Sequence, residues 1–288
     1  MEVARAGEAR IIDGAAIAAR VREQVAQDTA ALVLEQGRRP GLATILIGDD
    51  PASEIYVSMK VKACEALGIR SANHRLPAQA SRDELFALID QLNDDDEVSG
   101  ILCQLPLPGG LDPAEITNRI RSDKDVDGLT IANAGRLALG MDGLRPCTPL
   151  GVMILLEQAG VDLVGKHAVV IGRSNLFGKP MGRLLLAANA TVTQCHHHTA
   201  DLRDLCRQAD VLVAAVGQPE LIRGDWVKLG AVVIDVGTNR TDQGLRGDVC
   251  FSEARYVASA ITPVPGGVGP MTIACLMANT VEAARAQV

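Results

Sequence analysis

Short apolar runs rich in branched residues recur along the chain, and each is followed by a glycine or proline turn and then by apolar residues at helical spacing. Alternation of this kind is typical of an α/β protein with parallel sheets. The pattern predicts strands over residues 11–14, 42–47, 69–76, 98–105, 168–171, 190–195, 211–216, 231–236 and 261–264. It predicts helices over residues 15–36, 51–67, 83–92, 112–120, 150–159, 201–209 and 271–286, and one through Met181 and Leu185. We expect residues 1–10 to form a loose tail and residues 133–143 to be irregular.

The predicted helix after Asp50 carries three chemically useful side chains on one face. Asp50 suits the N-cap and Gly68 the C-terminal cap. Ser53, Tyr56 and Lys60 follow at i, i+3 and i+7, so that a hydroxyl, an aromatic ring and an amine lie together. Spacing leaves two interpretations open: a functional face, or a tyrosine packed on the surface beside a solvated lysine.

A strand, a glycine turn and a helix follow one another between residues 167 and 186. Backbone N–H groups at a helix start, reached through a turn at Gly172, form a site suited to a phosphate. The turn is not G-x-G-x-x-G, because Ser174 stands where the second glycine would be and Gly178 comes late. An ordinary buried strand and its turn remain the alternative. Two further strands also end in glycine, at Gly217 and Gly237, and this repetition favours a dinucleotide-binding fold.

The next strand bears on the type of dinucleotide. NAD-binding folds place Asp or Glu at its end to bind the ribose 2′-hydroxyl, whereas this strand ends in Cys195 and residues 196–198, which are all histidine. Histidines together with Arg173 can accept a 2′-phosphate, which favours NADP over NAD. A metal site is the competing interpretation, but adjacent residues of an extended chain point to opposite faces and do not easily converge on one ion.

Two polar positions lie at predicted loops of the first half. Residues 123–128 read D-x-D-x-D-G, like the start of a calcium-binding loop, but position 12 of that loop is Ala134 rather than Glu. Asp127, followed by Gly128, therefore remains as a loop carboxylate. Gln104 lies near the carboxyl end of a predicted strand, where ligands bind in parallel sheets, and either contacts a ligand or satisfies loop backbone.

Composition narrows the class of protein. The chain has 288 residues, 48% of them hydrophobic, which is enough for one large or two ordinary domains with a sizeable core. The net charge of −7 argues against a nucleic-acid-binding surface. No apolar run reaches the length of a transmembrane helix, and the first residues lack the apolar core of a signal peptide. Seven scattered cysteines without a C-x-x-C pair fit reduced thiols in a cytoplasmic protein.

The chain resembles the bifunctional methylenetetrahydrofolate dehydrogenase/cyclohydrolase family. The matching motifs run in the family's order from about residue 50 to residue 272, and the most specific is the last, which contains PVPGGVGPMT. They are Tyr56 to Ala63 with Gly68-Ile69, Gly100 to Pro108, Lys124 to Gly128, Pro146 to Pro149, Val170 to Ser174, and Thr262 to Thr272.

The resemblance implies two α/β domains flanking a cleft, the C-terminal one a Rossmann-type parallel sheet. Residues 1–149 with a returning helix at 271–288 would form the folate-binding catalytic domain, and residues 150–270 the NADP-binding domain. It further implies a homodimer that acts on a small folate. The arguments from composition and spacing given above add a cytoplasmic protein that binds neither nucleic acid, membrane nor metal.

The same resemblance assigns roles to individual residues. The catalytic residues would be Lys60, Gln104, Tyr56 and Asp127, with the pterin stacked on Tyr56 and its amino-pyrimidine edge hydrogen-bonded to Asp127. Further substrate contacts would come from Ser53, Pro265, Gly266 and Gly267. The residues implied for NADP are Gly172, Arg173, Ser174, His197, Thr238 and Thr148. Position 197 is more often Ser or Arg in the family, so with His197 we expect 2′-phosphate affinity to depend on pH. Position 238 is more often Ile, and the resemblance implies no particular effect of Thr238.

The implied reaction suits these residues. Hydride leaves the methylene carbon of 5,10-methylenetetrahydrofolate, and two flanking nitrogens delocalise the cation, so positioning does most of the work. Water then attacks the methenyl cation, and a lysine of lowered pKa can move the protons. Two alternatives stay open: an NADP-dependent dehydrogenase of the shikimate type, and a non-catalytic NADP-sensing module.

Overall fold

The computed structural model describes residues 7–287, so most of the predicted N-terminal tail lies outside the described residues. The chain forms two compact units. Unit 1 contains the residues up to Ala18 together with Thr148–Thr272, and unit 2 contains Ala19–Cys147 together with Ile273–Val288. Each unit is therefore built from two separate stretches of sequence.

The helices are α1 (Gly14–Gln36), α2 (Pro51–Ala66), α3 (Arg82–Asp94), α4 (Pro113–Arg119), α5 (Ile131–Leu139), α6 (Cys147–Gln158), α7 (Gly178–Ala187), α8 (Leu202–Cys206), α9 (Phe251–Ala254) and α10 (Gly269–Ala286). The strands are β1 (Arg10–Ile11), β2 (Gly41–Ile47), β3 (Arg70–Leu76), β4 (Gly100–Cys103), β5 (His167–Ile171), β6 (Thr191–Cys195), β7 (Val211–Ala214), β8 (Val232–Asp235), β9 (Asn239–Thr241), β10 (Gly244–Arg246) and β11 (Ala260–Ile261). Among these helices, none is both long and apolar enough to cross a bilayer.

Unit 1 is organised around a parallel sheet of six strands in the order β1-β11-β8-β7-β5-β6. The residues of β7 are all buried, as are all but the first of β5, which explains their continuous apolar sequence. The strand order reverses beside β5, and ligands of such sheets bind at the carboxyl ends of strands near this reversal. The α/β class and the Rossmann-type sheet predicted from the sequence are confirmed.

Unit 2 contains a parallel sheet of three strands in the order β3-β2-β4. The central strand β2 is buried over its whole length, and β3 forms one edge with alternating exposure. Strand β4 ends at Cys103, short of the predicted Leu105. The N–H of Gln104 still donates to Ile45 O at 2.9 Å, but Pro106 follows shortly and has no N–H to continue the ladder.

The prediction of an irregular segment over residues 133–143 is wrong, because α5 occupies most of it. Thr130 caps α5 by accepting a hydrogen bond from Asn133 N, and Gly140 ends it in the left-handed conformation. The glycines that suggested a loop therefore include a helix terminator, and Gly135 lies inside the helix at the usual small expense in stability.

Smaller differences concern boundaries. The first strand covers Arg10–Ile11 rather than residues 11–14, and Gly14 already begins α1. Arg10 therefore belongs to the sheet and not to a tail. Helix α6 begins at Cys147, earlier than the predicted residue 150, because Pro149 lies in its first turn, where no backbone N–H is required. The hairpin of β9 and β10 was not predicted.

Candidate active site

Helix α2 positions the first group of predicted residues in unit 2. The Asp50 side chain accepts a hydrogen bond from Ser53 N at 2.8 Å, and Pro51 occupies the first turn, so the helix start is fixed as the sequence predicts. Ser53 is buried, whereas the Tyr56 ring is about half exposed at 48%. Lys60 follows one turn later and is partly buried.

Lys60 and Gln104 meet directly. The Lys60 Nζ donates to Gln104 Oε1 at 2.8 Å, although the two residues lie 44 positions apart in the sequence. The Gln104 amide nitrogen donates to Leu105 O at 2.7 Å, which fixes the amide so that its oxygen faces the lysine. Gln104 therefore satisfies loop backbone, one of the two alternatives that the sequence left open, and it also contacts the candidate catalytic amine.

Asp127 completes the charged group around Lys60. Burial lowers the pKa of Lys60, and the negative charge of Asp127 opposes that shift. Burial likewise raises the pKa of Asp127, and the positive charge of Lys60 opposes it. The two groups thus stabilise each other's charged form in a poorly hydrated environment. A lysine in this situation gives up its proton at lower pH than a solvated one, as a general base requires.

Unlike Asp127, the other two aspartates of the D-x-D-x-D-G segment, Asp123 and Asp125, are paired with groups that hold the loop. Asp123 pairs with Arg121 at 2.6 Å. The Asp125 carboxylate accepts hydrogen bonds from Leu129 N, Thr130 N and the Asn133 amide. These acceptors are committed to the turn that leads into α5. Within residues 7–287, no group of three or more His, Cys, Asp or Glu side chains has the arrangement of a metal site.

Two buried residues next to Asp127 were not identified from the sequence. Cys147 lies close to the Asp127 carboxylate, and its thiol donates to Val126 O at 3.2 Å. Asn279, on α10, donates to Val126 O and to Arg145 O, both at 2.8 Å. Their places in the site depend on contacts across 21 and up to 153 positions of sequence, which no local pattern reveals.

The predicted phosphate turn of unit 1 is lined by backbone. Gly172, at the end of β5, has φ +130°, and a Cβ there would lie 2.4 Å from Ala215 O. A Cβ on Gly178 would lie 2.1 Å from Gly172 O. Both glycines are therefore required by close packing. Arg173 and Ser174 are exposed between them, and Ser174 Oγ accepts from Phe177 N at 3.1 Å at the start of α7.

The histidines after β6 form a compact exposed group. The rings of His197 and His198 lie 3.8 Å apart between centroids. The positive charge of His198, partial desolvation and the charge of Arg173 lower the pKa of His197. Arg173 and His197, predicted separately, are thus electrostatic neighbours. This arrangement concentrates positive charge beside Arg173 at the carboxyl end of β6 whenever His197 is protonated.

The other predicted residues of unit 1 lie at further turns. Thr238 is exposed just beyond β8. The hydroxyls of Thr148 and Thr272 are 3.0 Å apart. In the loop after β11, Gly266 O accepts from Ala15 N at 3.0 Å, and a Cβ on Gly267 would lie 2.4 Å from Pro263 O. This loop, which also contains Pro265, is therefore packed backbone to backbone against the start of α1.

A pair of buried carboxylates organises the loops at the carboxyl edge of the unit 1 sheet. Asp235 accepts hydrogen bonds from the N–H groups of residues 237, 248 and 249. Asp248 accepts from the N–H groups of residues 216, 217 and 218 and from the Asn239 amide. Burial raises the pKa of Asp235 to about 7, against the effect of these donors. Neither residue was singled out from the sequence.

Comparison with known proteins identifies one family over most of the chain. The tetrahydrofolate dehydrogenase/cyclohydrolase catalytic domain matches residues 12–127, and the NAD(P)-binding domain of the same family matches residues 146–288. The bifunctional protein FolD of Caulobacter sp. (strain K31) is 57% identical over 289 residues, covering 96% of this chain and 97% of its own.

Solved structures of enzymes from the same family are also similar to this chain. The bifunctional FolD methylenetetrahydrofolate dehydrogenase/cyclohydrolase of Campylobacter jejuni is 49% identical with a TM-score of 0.94, over 96% of this chain and 99% of its own. The Trypanosoma brucei enzyme, solved with NADP and an inhibitor, is 41% identical with a TM-score of 0.92, over 98% and 99%.

The shikimate-type alternative has much weaker support. Shikimate 5-dehydrogenase of Thermus thermophilus is 15% identical with a TM-score of 0.51, over 86% of this chain and 100% of its own. A likeness at that level concerns the fold alone. With both family domains matched and relatives more than half identical over nearly the full length, the chain belongs to the tetrahydrofolate dehydrogenase/cyclohydrolase family.

Proposed function

We propose that this protein oxidises 5,10-methylenetetrahydrofolate to the 5,10-methenyl form with NADP and then hydrolyses that product to 10-formyltetrahydrofolate. The observation that carries the proposal is the contact of Lys60 Nζ with Gln104 Oε1 at 2.8 Å, beside the partly buried carboxylate of Asp127. The chain belongs to a family named for both activities, and an amine of lowered pKa at this position supports the hydrolytic step, which requires proton transfer.

Unit 2 supplies the groups that we assign to the pterin. The exposed ring of Tyr56 offers a stacking surface one turn before Lys60. Asp127 offers carboxylate oxygens to the amino-pyrimidine edge, and Ser53 lies on the same helix as Tyr56. From unit 1 we retain Pro265, Gly266 and Gly267 as proposed substrate contacts, on the family resemblance.

Unit 1 supplies the groups that we assign to NADP. The turn that begins at Gly172 leads into the start of α7 at Gly178, where backbone N–H groups suit a dinucleotide phosphate. Arg173 and His197 offer charge to the 2′-phosphate, and Ser174, Thr238 and Thr148 offer hydroxyls. When bound, NADP supplies the acceptor for the hydride.

Lys60 performs the proton transfers of the hydrolytic step. Its neutral amine takes a proton from the water that attacks the methenyl carbon. The ammonium then gives a proton to the nitrogen that leaves when the carbon–nitrogen bond breaks. The hydroxyl on the reacting carbon loses its remaining proton in the same step and becomes the formyl C=O on the other nitrogen. The cationic methenyl group and one water thus yield a neutral formamide and one released proton. Gln104 holds the amine in place through its carbonyl oxygen, and Asp127 limits how far burial lowers the lysine's pKa.

The setting of the enzyme is also proposed from the resemblance and the composition. We infer a cytoplasmic homodimer whose ligands are small molecules and which does not bind nucleic acid. The net charge of −7 supports the last point, and seven buried, unpaired cysteines support a reducing compartment.

One spectrophotometric experiment tests the proposal. Purified protein is mixed with 5,10-methylenetetrahydrofolate and NADP, then NAD, while reduced cofactor and the methenyl species are followed by absorbance. Reduction of NADP without build-up of the methenyl species is the expected result. Build-up of the methenyl species would leave a dehydrogenase alone and remove Lys60 from its role. Absence of reduction with either cofactor would favour the shikimate-type or NADP-sensing alternatives.

A further inference from the structure

The turn that carries Asp127 is held from its far side by a residue of the last helix. Asn279 is 1% exposed, and its amide nitrogen lies 2.8 Å from both Val126 O and Arg145 O. Both partners are carbonyl oxygens, so only the NH₂ group can make these bonds, and its two hydrogens match two acceptors. The same nitrogen lies 3.6 Å from Cys147 Sγ.

These two carbonyls lie on either side of the candidate catalytic carboxylate. Val126 immediately precedes Asp127, and Arg145 lies two residues before Cys147, whose side chain lies close to Asp127. The Asn279 amide therefore links two backbone segments: the one that carries Asp127 and the one that carries Cys147. Without this link, two buried carbonyls would lose partners that water cannot easily replace.

The turn that carries Asp127 is closely packed on two sides. A Cβ on Gly100 would lie 2.3 Å from Val126 Cγ1, so β4 contacts the turn closely on one side. A Cβ on Gly128 would lie 2.4 Å from the carbonyl carbon of Arg145, so the next residue of the turn contacts the segment before α6. The amide of Asn279 adds a hydrogen-bonded contact from α10 to this closely packed turn.

Displacement of the turn would change the electrostatic interaction of Lys60 with its neighbours. The groups that act on Lys60 are Asp127, Cys147 and Cys64, together with the hydrogen bond to Gln104. Of these, Asp127 and Cys147 depend on the two segments that Asn279 joins. The position of one uncharged amide thus controls the geometry of the charged pair.

We propose that Asn279 is a positioning residue, whose amide clamps the Val126 and Arg145 carbonyls together and so fixes Asp127 relative to Lys60. The inference rests on the proposed function and deepens it, because it assigns a role in substrate binding and proton transfer to a residue of the last helix that touches neither substrate nor Lys60.

The chain offers a matched control one residue away. Thr280 is fully buried on the same helix, but its hydroxyl donates to Leu276 O of its own helix at 2.8 Å. Thr280→Val therefore removes a buried hydrogen bond from α10 without releasing the Asp127 turn. Any general loosening of α10 appears in both variants, whereas loss of the clamp appears only in a variant of Asn279.

The experiment compares Asn279→Ala, Asn279→Ser and Thr280→Val with the unmodified protein, all assayed well below their melting temperatures. The serine hydroxyl is shorter and donates one hydrogen, so Asn279→Ser keeps at most one of the two bonds and tests the proposal if the alanine variant does not fold. The readouts are KM for 5,10-methylenetetrahydrofolate, the pH profile of methenyl hydrolysis, and Kd for NADP.

For the Asn279 variants we expect a rise in KM of about tenfold, since a misplaced group typically forfeits that much. We also expect a pH profile displaced from that of the unmodified protein, with Kd for NADP unchanged because the assigned groups belong to unit 1. Unmodified KM and pH profile in folded Asn279 variants would overturn the proposal, as would equal changes in Thr280→Val. Failure of the proposed function would appear separately, as absence of activity in the unmodified protein.

Discussion

Two pairs of ionisable groups, one in each unit, differ in how many of their hydrogen-bonding positions the protein itself uses. In unit 1, Asp235 and Asp248 accept seven hydrogen bonds, six from backbone N–H groups and one from Asn239. In unit 2, Lys60 makes one side-chain hydrogen bond, to Gln104, and Asp127 has the Cys147 thiol and the charge of Lys60 as neighbours.

The number of hydrogen-bonding positions left free distinguishes groups that stabilise the fold from groups that can bind a ligand, and it does so better than burial. Asp235 and Asp248 are buried, and Lys60 and Asp127 have shifted pKa values. Both oxygens of each unit 1 carboxylate already accept hydrogen bonds from the protein, so they have little left to offer a ligand. Lys60 and Asp127 retain free donors and acceptors, which is what binding and proton transfer require. We therefore expect substitutions at the first pair to affect stability and those at the second to affect activity.

The largest expected effect is that of Lys60→Met. Removing the amine should abolish methenyl hydrolysis, since a positioned general base contributes about 10²- to 10⁴-fold. The oxidative step should persist, because the developing cation needs no strong base. The two rates are measured separately by absorbance, with Lys228→Met as the control, an exposed lysine paired with Asp210. Hydrolysis retained in Lys60→Met would contradict the assignment of the active group to unit 2.

Asp248→Asn should have the largest effect on stability. One acceptor oxygen becomes an NH₂ group that faces backbone N–H donors, and each buried donor left unpaired costs about 1–3 kcal/mol, so we expect a loss of about 3 kcal/mol. Urea unfolding measures it, with Asp225→Asn as the control, an exposed carboxylate paired with Arg203. A stable Asp248→Asn protein would show that these loops do not depend on the carboxylate.

Asp127→Asn should combine a change in substrate affinity with a change in pH dependence. The negative charge of Asp127 raises the pKa of Lys60, so its removal lowers that pKa further and the neutral amine appears at lower pH. Wherever Asp127 is ionised in the unmodified protein, the rising limb of hydrolysis should move down by about one pH unit. Asp123→Asn, in the same loop, should leave the profile in place. A profile moved to higher pH would reverse the sign of the coupling.

The smallest expected effect is that of His197→Ala, the exposed group of unit 1 that should act on a ligand and not on stability. Its pKa is lowered by neighbouring positive charge, so the ring is charged only below its ordinary range near pH 6.5. NADP affinity should rise by about fivefold as the pH falls through that pKa, the size expected of one exposed ion pair. Affinity for NAD, which lacks the 2′-phosphate, should stay flat and serves as the control. An equal pH dependence in His197→Ala would assign the effect to another residue.

Much of the fold follows from local pattern. The apolar runs predict the buried strands, because a strand covered on both faces leaves a continuous apolar signature. Asp50 and Pro51 predict the start of α2, because capping is a contact over three residues. Helix α5 escapes this reasoning, because its glycines resemble those of a loop and its cap at Thr130 is recognised only once the helix is known.

The candidate site likewise contains residues that local spacing identifies and residues that only the folded chain brings together. Tyr56 and Lys60 share a helix face, and their spacing alone identifies them as neighbours. The contact of Lys60 with Gln104, and the positions of Cys147 and Asn279, depend on segments that meet only in the folded chain. The role of Asp248 is also non-local, since its carboxylate gathers backbone from residues 216–218 that carry no side-chain signal.

The pairing of β1 with β11 bears on how the chain folds during its synthesis. Arg10 and Ile11 lie opposite Ala260 and Ile261 in the sheet of unit 1, and Val126 of unit 2 is bonded to Asn279. A chain growing on the ribosome exposes β1 well before β11, its partner in the sheet, has been synthesised. Both units therefore lack one of their contacts until residues 260–279 have emerged, so a chain truncated before these residues should be an unstable product rather than a partly active enzyme.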